Sequence, residues 1–160
     1  MTDLANKVKS LVRNVQDFPK KGIVFKDITP VLQDGTTFAR IVAGIESRGF
    51  LFGAAVAARL EVGLIPIRKA GKLPWKTVKQ TYKLEYGTDT MEIHKDAVKK
   101  GQRVLVVDDV LATGGTLVGA CKLVEKVGGV VAGSACLIEL AFLNGLKKLK
   151  GRDFYSIVQY

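Results

Sequence analysis

The alternation of hydrophobic and polar positions along the chain predicts short strands separated by helices. Continuous apolar runs, typical of buried strands, lie at residues 41–45, 63–67, 103–108, 130–140 and 154–159. Helical spacing of apolar positions occurs at residues 4–15, in the alanine-rich stretch 50–60, and where Leu117, Ala120, Cys121 and Val124 share one face. We therefore predict an α/β fold, with a mostly parallel sheet flanked by helices on both faces.

Two segments interrupt this alternation. Residues 80–85 and 90–95 alternate in polarity on either side of a turn at 86–89, which is typical of a β-hairpin, and we expect this hairpin to be an appendage of the sheet. Residues 18–30 contain Pro19, Gly22 and Pro30 around a short extended run. No linker divides the chain, so its 160 residues are expected to form a single domain with a core at about 41–160.

Composition excludes several classes of protein. No stretch reaches the roughly 20 apolar residues of a membrane span, and the N-terminus has no apolar signal region, so we expect a cytoplasmic protein. Cys121 and Cys136 lack the spacing of metal ligands and are expected to be buried thiols. The net charge of +10 leaves three interpretations open: a nucleic-acid surface, attraction of a small polyanion, or a plain basic surface.

The most informative segment is 104–120, where an apolar strand leads into Asp108 and Asp109 and then into the small turn Ala112–Thr116 at the start of a helix. Ligands of open α/β sheets bind outside the carboxyl ends of the strands. Consecutive N–H groups at a helix N-terminus favour a phosphate, whereas two carboxylates suit ribose hydroxyls or Mg²⁺. The segment predicts a ribose-5-phosphate site, unless the acids only cap and solvate the strand end.

The same segment, VLVVDDVLATGGT, resembles the phosphoribosyl diphosphate (PRPP) signature of type I phosphoribosyltransferases. The resemblance extends over residues 17–160 and implies the fold of that family, PRPP with Mg²⁺, and a homodimer. It also implies that Asp108 and Asp109 face the ribose hydroxyls or the metal, directly or through PRPP. The turn Ala112–Thr116 would then hold the 5′-phosphate.

The segment GIESRG, residues 44–49, resembles the pyrophosphate-binding loop of the adenine-specific members of the family. This resemblance implies that Arg48 pairs with diphosphate oxygens, beside the N–H groups of residues 47–49. It also implies a cis peptide bond between Glu46 and Ser47. Taken alone, Arg48 also fits an ordinary surface arginine.

The basic segment RKAGKLPWKT, residues 68–77, resembles the flexible catalytic loop of the same enzymes. By that resemblance, Arg68, Lys69 and Lys72 contact the departing diphosphate, while closure of the loop excludes water. A solvated hairpin arm is the alternative. Trp75 is unusual for the tip of a mobile loop.

The pattern LEYG followed by EIHKDA, within residues 82–97, resembles adenine phosphoribosyltransferases rather than their hypoxanthine, orotate or uracil relatives. It implies that Glu85 lies near the base and Tyr86 over the reaction centre. A protonated Glu85 would donate a hydrogen bond to purine N7. His94 lies in an alternating strand and is expected to be structural.

Residues 18–30, FPKKGIVFKDITP, resemble the hood that recognises adenine in this family, and we place the N-terminal helix and hood at about 1–34. By resemblance, the backbone of Val24 and Lys26 reads the donor and acceptor on the base edge, and Phe25 stacks on the ring. As the alternative, Phe25 is a plain core residue.

One segment departs from the family. Relatives carry an amphipathic helix and a turn before the strand that leads to GIESRG, whereas here residues 35–40 are all that separates ITPVLQD from it, so roughly 20 residues are missing between Asp34 and Ile41. A parallel crossover takes a dozen or more residues, and a conventional βαβ link cannot form here. We expect one face of the sheet to lose its cover, which another element or a partner subunit would then supply.

Together these resemblances imply a purine-salvage enzyme that converts adenine and PRPP to AMP and diphosphate, with small molecules rather than nucleic acid as partners. Catalytic roles are implied for Glu85, Tyr86 and Arg48, and adenine binding for Val24, Phe25, Lys26 and Glu85. PRPP binding is implied for Glu46, Ser47, Arg48, Arg68, Lys69, Lys72, Asp108, Asp109, Ala112, Thr113, Gly114, Gly115 and Thr116. Two alternatives stay open: a PRPP-binding regulatory protein, and a shortened variant with little activity.

Overall fold

The computed structural model describes residues 13–18, 20–22, 24–27, 40–83 and 87–160. In chain order its strands and helices are β1 (Arg13–Gln16), β2 (Val24–Asp27), β3 (Arg40–Ile45), α1 (Gly49–Arg59), β4 (Gly63–Lys69), β5 (Thr77–Lys83), β6 (Thr88–His94), β7 (Arg103–Leu111), α2 (Gly115–Lys126), β8 (Val130–Glu139) and β9 (Phe154–Gln159). Arg13, Asn14 and Val15, predicted as helical, lie in β1, because they pair with β2 in an antiparallel register. The rest of the predicted N-terminal helix lies outside the described residues.

Seven of the described strands form one sheet in the order β5-β6-β4-β3-β7-β8-β9. Strands β4, β3, β7, β8 and β9 run parallel to one another, which confirms the mostly parallel sheet. The hairpin β5–β6 is not an appendage, as the sequence had suggested, but the antiparallel edge of this sheet. The reason is that β4 is longer than predicted: Arg68 and Lys69 still belong to it and pair with Glu92 and Met91 of β6.

Each face of the sheet carries one of the two described helices, as predicted. Because side chains alternate along a strand, Val106 and Val107 of β7 point to opposite faces. Val106 packs in the large cluster that includes Leu123 of α2, and Val107 packs in a smaller cluster with Ala57 of α1. None of the helices in the described part of the chain has the length and apolarity needed to cross a membrane.

Strands β1 and β2 form a separate two-stranded sheet. The chain between Asp27 and Arg40 therefore joins two different sheets, and the minimum length of a parallel crossover does not apply to it. The prediction that a conventional βαβ link cannot form here assumed that both strands belong to one sheet; β2 and β3 lie in different sheets, so the argument from the length of the connection does not apply.

Strand β9 exposes apolar side chains on one face of the sheet, which bears on the expectation that one face loses its cover. Tyr155 pairs with Ala135, which pairs in turn with Val107, so Tyr155 and Ile157 lie on the α1 face of the sheet. Both side chains are 67% exposed. Among the described residues, an apolar surface thus extends along the edge of the sheet, on the face whose centre α1 covers.

We expect Leu123→Ala in α2 to destabilise the fold by about 2–5 kcal/mol, because it opens a cavity in the larger core cluster, where Leu123 is 0% exposed. The matched variant Leu60→Ala removes the same atoms from a side chain that is 53% exposed and is expected to change the free energy of unfolding by less than about 0.5 kcal/mol. Urea unfolding of both variants measures this. Equal losses would contradict the assignment of the core.

Candidate active site

The carboxyl ends of β3 and β7 meet at the start of α1. A Cβ added to Gly49 would lie 2.9 Å from Asp108 Oδ1 and 3.1 Å from Asp108 Cα, so the first residue of α1 lies directly against β7. Next to this contact, Arg48 Nε lies 2.5 Å from Asp109 Oδ2. The acids of the PRPP-like segment and the arginine of the pyrophosphate-like loop, 60 residues apart in the chain, are therefore neighbours.

The two adjacent acids lie in different surroundings. Both belong to β7, which continues to Leu111 and so extends three residues beyond the end predicted at Asp108. Asp108 is buried, and its Oδ1 accepts the Asp109 N–H at 2.9 Å. Burial raises the pKa of Asp108 to about 7; the Asp109 N–H opposes this, and the Asp109 carboxylate adds to it. Asp109 instead pairs with the Arg48 guanidinium, so the two neighbouring carboxyls have different partners.

The glycines of the small turn are required by the protein's own packing. Gly114 has φ of 79°, and a Cβ there would lie 2.5 Å from the carbonyl oxygen of Gly145. A Cβ on Gly115, the first residue of α2, would lie 1.9 Å from the carbonyl oxygen of Lys83. The sequence suggested that these glycines admit a ligand to the backbone. The structure shows that they admit the 3-10 turn Gly145–Leu149 and the end of β5.

The loop between β3 and α1 is held by a carboxylate. The Glu46–Ser47 peptide bond is cis, as predicted. Glu46 Oε2 accepts hydrogen bonds from Arg68 Nε at 3.1 Å and from the Lys69 N–H at 2.9 Å. Burial opposes ionisation of Glu46, but these hydrogen bonds outweigh it and lower its pKa below the ordinary value. Glu46 thus ties the loop to the end of β4.

A second set of contacts links the end of β4 to the small turn. Lys69 Nζ lies 3.4 Å from Asp89 Oδ2, and the Tyr82 hydroxyl donates to the same oxygen at 3.4 Å. The Tyr82 hydroxyl is also in hydrogen-bonding contact with Thr116 of the turn. The Thr90 N–H and Lys69 lower the pKa of Asp89, against the effect of burial. Burial and Asp89 raise the pKa of Tyr82.

Sequence reasoning missed Tyr82, Asp89 and the buried Glu92 as parts of this region. The available signal was weak: Glu92 is a charged residue flanked by Met91 and Ile93, but it shares the polar face of an alternating strand with Thr90 and His94. Tyr82 had no such signal, because an aromatic residue in an alternating strand is ordinary.

The hood contacts the basic segment through Arg13 of β1. Its guanidinium lies 4.9 Å from the centre of the Trp75 ring, and its Nη2 donates to Asp96 Oδ2 at 2.6 Å. A stacking partner for the ring explains an aromatic residue at this position. The backbone of Val24 lies in strand β2, which agrees with the extended run predicted for the hood.

Several expected site residues lie outside what the structure describes. These are Glu85 and Tyr86, together with the side chains of Phe25 and Lys26.

The remaining reactive side chains, those of the two cysteines and of His94, are buried within the fold. Cys121 and Cys136 are free and buried, as predicted, and burial raises their pKa values to about 11 and about 12, which keeps both thiols protonated. His94 is 1% exposed within β6.

Among the described residues, no three His, Cys, Asp or Glu side chains converge on a possible metal position. Asp108 and Asp109 nevertheless supply the carboxylate oxygens that Mg²⁺ takes in proteins when phosphates of a substrate complete its shell.

Comparisons with known proteins place these features in a family. The chain is 54% identical to the adenine phosphoribosyltransferase of Koribacter versatilis, over 96% of this chain and 92% of that protein. It superposes on the adenine phosphoribosyltransferase structure from Thermoanaerobacter pseudethanolicus with a TM-score of 0.75 and 50% identity, covering 97% and 99% of the two chains. The Saccharomyces cerevisiae enzyme, crystallised with adenine and an imino-altritol bisphosphate, matches with a TM-score of 0.71, 36% identity and coverage of 98% and 99%.

The length of the alignment agrees with a shortened chain. The alignment with the Koribacter protein extends over 168 positions, whereas 96% of the 160 residues is about 154, so about 14 positions have no counterpart here. This is fewer than the roughly 20 residues expected from the sequence alone.

We expect Asp108→Asn to remove a pH-dependent part of the stability. Because the pKa of Asp108 is raised from 3.8 to about 7, the folded protein keeps a proton that the unfolded chain releases. The stability from this group is therefore complete near pH 4 and falls by about 2–4 kcal/mol as the pH rises through 7. Urea unfolding of the wild type and of Asp108→Asn near pH 4 and near pH 8 measures the difference, with Asp153→Asn as control. A difference that does not change with pH would disprove this.

The match to the phosphoribosyl transferase domain extends over residues 27–156, from the end of β2 into β9. It includes both acids of β7, the small turn, the loop after β3 and the basic segment after β4. Sequence identity, fold and the arrangement of these four segments agree with one another. The chain therefore belongs to the phosphoribosyl transferase family and groups there with the adenine phosphoribosyltransferases.

Proposed function

We propose that the protein transfers the 5-phosphoribosyl group of PRPP to adenine, giving AMP and diphosphate, in purine salvage. The observation that carries this proposal is the contact between the loop of Arg48 and the acids of β7, which lead into the glycine-rich turn at the N-terminus of α2. It places a cation, two carboxylates and backbone donors at one edge of the sheet, as a phosphorylated sugar with a diphosphate group requires. The named relatives, one crystallised with adenine, favour adenine as the acceptor.

The reaction exchanges one bond at the anomeric carbon for another. The bond from this carbon to the diphosphate oxygen breaks, and its electron pair leaves with diphosphate. A bond from adenine N9 forms, and N9 loses its proton. Because positive charge develops on the sugar and negative charge on the leaving group, the protein acts by positioning both reactants and by stabilising the diphosphate.

The PRPP half of the site comes from four segments. Asp108 and Asp109 face the ribose hydroxyls or Mg²⁺, which would neutralise charge on the diphosphate when bound. The N–H groups and hydroxyls of Ala112, Thr113, Gly114, Gly115 and Thr116 hold the 5′-phosphate at the N-terminus of α2. Glu46, Ser47, Arg48, Arg68, Lys69 and Lys72 surround the diphosphate.

The cations of this set are not equivalent. Arg48 is 74% exposed and Lys69 61% exposed, so each can turn from its carboxylate partner to an anionic ligand. Arg68 donates to both Glu46 oxygens and to the Lys72 carbonyl. We assign Arg48, Lys69 and Lys72 to direct contact with diphosphate, and Arg68 to a more fixed position behind them.

The adenine half of the site depends on the hood and the hairpin. The backbone of Val24 and Lys26 reads the base edge, Phe25 stacks on the ring, and Glu85 and Tyr86 lie near the base and the reaction centre. The contact of Arg13 with Trp75 supports this arrangement, since it connects the hood to the basic segment that adjoins the hairpin.

We further propose a cytoplasmic homodimer that does not bind nucleic acid. The exposed apolar side chains on the α1 face, including Leu51, Tyr155 and Ile157, are the surface that a second copy would cover. The net charge of +10 is assigned to attraction of anionic PRPP.

We expect the purified protein to form AMP from adenine, PRPP and Mg²⁺, and to leave hypoxanthine unconverted. Hypoxanthine presents the opposite donor and acceptor pattern to a backbone built for adenine, which lowers its kcat/KM by about 10⁴-fold. Chromatographic detection of AMP and IMP measures both reactions. PRPP binding without AMP formation would instead favour a regulatory protein or an inactive shortened variant.

We expect Asp108→Asn combined with Asp109→Asn to lower kcat/KM for PRPP by about 10²-fold or more, because the ribose hydroxyls and Mg²⁺ lose their carboxylate partners. The surface variant Glu61→Gln is the control and is expected to match the wild type. Steady-state kinetics at saturating adenine measures the effect. Unchanged turnover in the double variant would contradict the role given to these acids.

A further inference from the structure

Glu92 of β6 is a carboxylate enclosed by the protein. It is 1% exposed. Its Oε1 accepts three consecutive backbone N–H groups, those of Gly71 at 2.9 Å, Lys72 at 3.0 Å and Leu73 at 2.9 Å. Its Oε2 accepts the Thr77 hydroxyl at 3.1 Å. The basic segment that follows β4 is therefore wrapped around a single buried anion.

The backbone of this segment has the form of an anion-binding nest. Gly71 has φ of 86°, and the N–H groups of the next residues point to one side, an arrangement that elsewhere receives phosphates. Here the anion belongs to the protein. The Lys72 N–H also lies 3.2 Å from the Lys69 carbonyl oxygen, so the two lysines share one turn of backbone, and an internal negative charge lowers the cost of placing two cationic residues there.

A chain of hydrogen bonds connects this nest to the loop after β3. The Lys72 N–H donates to Glu92, and the Lys72 carbonyl accepts from Arg68 Nη1 at 3.2 Å. Arg68 in turn pairs with Glu46, beside the cis peptide bond. Lys72 is thus fixed on both sides of its backbone, and two of the segments assigned to the diphosphate are connected to each other.

We propose that Glu92 is a positioning residue for the transfer reaction: its carboxylate occupies the nest at Gly71–Leu73 and fixes the basic segment where Lys69 and Lys72 meet the diphosphate of PRPP. This inference rests on the proposed function for its substrate. The anchoring of the nest by Glu92 rests on the hydrogen bonds alone. A residue of this kind acts on PRPP and not on adenine, because the segment that it holds adjoins the diphosphate.

A glycine pair offers a test that leaves the buried carboxylate in place. Gly71 and Gly101 both have positive φ, 86° and 77°, and a Cβ added to either meets no atom within 4 Å. Gly71→Ala and Gly101→Ala therefore introduce similar backbone strain without a steric clash. Gly101 lies before the amino end of β7, at the edge of the sheet opposite to the site.

We expect both alanine variants to lose thermal stability. Only Gly71→Ala is expected to raise the KM for PRPP, by about tenfold, and its KM for adenine should change by less than about twofold. Steady-state kinetics with each substrate varied in turn provides the measurement. Equal KM values for PRPP in the two variants would overturn the proposal.

Glu92 itself is tested by Glu92→Gln and Glu92→Ala. In Glu92→Gln the side chain keeps one acceptor oxygen for the three N–H groups. The rate of amide exchange at residues 71–73 and the KM for PRPP of this variant should therefore lie between those of the wild type and those of Glu92→Ala. If Glu92→Ala does not fold, Glu92→Gln and the glycine pair decide the matter. A wild-type protein that makes no AMP would refute the proposed function, whereas an active wild type with unchanged amide exchange in Glu92→Gln and Glu92→Ala would refute this inference.

Discussion

The close approach of α1 to β7 is the constraint on which the site depends. Gly49 has no side chain, and the backbone of β7 and the Asp108 carboxylate fill the space that a Cβ would take. This contact brings Arg48 to Asp109 and buries Asp108, whose pKa rises for that reason. A larger residue at position 49 would separate the loop after β3 from the acids of β7, and with them the diphosphate side of the site from the ribose side.

The cations of the site differ in how firmly their carboxylate partners hold them. Arg48 pairs with Asp109 and Lys69 with Asp89, and since both cations are largely exposed these pairs contribute little to stability. Arg68 is less exposed and donates three hydrogen bonds. Two exposed cationic side chains that can exchange partners, with the more firmly held Arg68 behind them, suit a site that must bind one polyanion and then release a different one.

Sequence patterns predicted the strands of the main sheet and its two described α-helices, because each depends on residues close together in the chain. They did not predict that the hairpin completes the sheet, since this depends on Arg68 pairing with Glu92, 24 residues later. The contact of Arg13 with Trp75 and the nest around Glu92 were hidden for the same reason. Family resemblance did locate the cis peptide bond at Glu46–Ser47, which no local pattern indicates.

We expect the shortened connection before β3 to affect a face of the sheet and not the edge that holds the site. Strand β3 lies at the centre of the sheet between β4 and β7, and this pairing fixes its position without help from the preceding chain. Because β2 belongs to another sheet, the connection has only to reach β3. The 12 residues between Asp27 and Arg40 can span a distance of up to about 40 Å. We expect a shorter connection to remove cover from the α1 face, where Tyr155 and Ile157 are exposed. The acids of β7, the small turn and the loop of Arg48 lie at the carboxyl ends of the strands, so the loss of cover bears on stability and assembly more than on the chemistry.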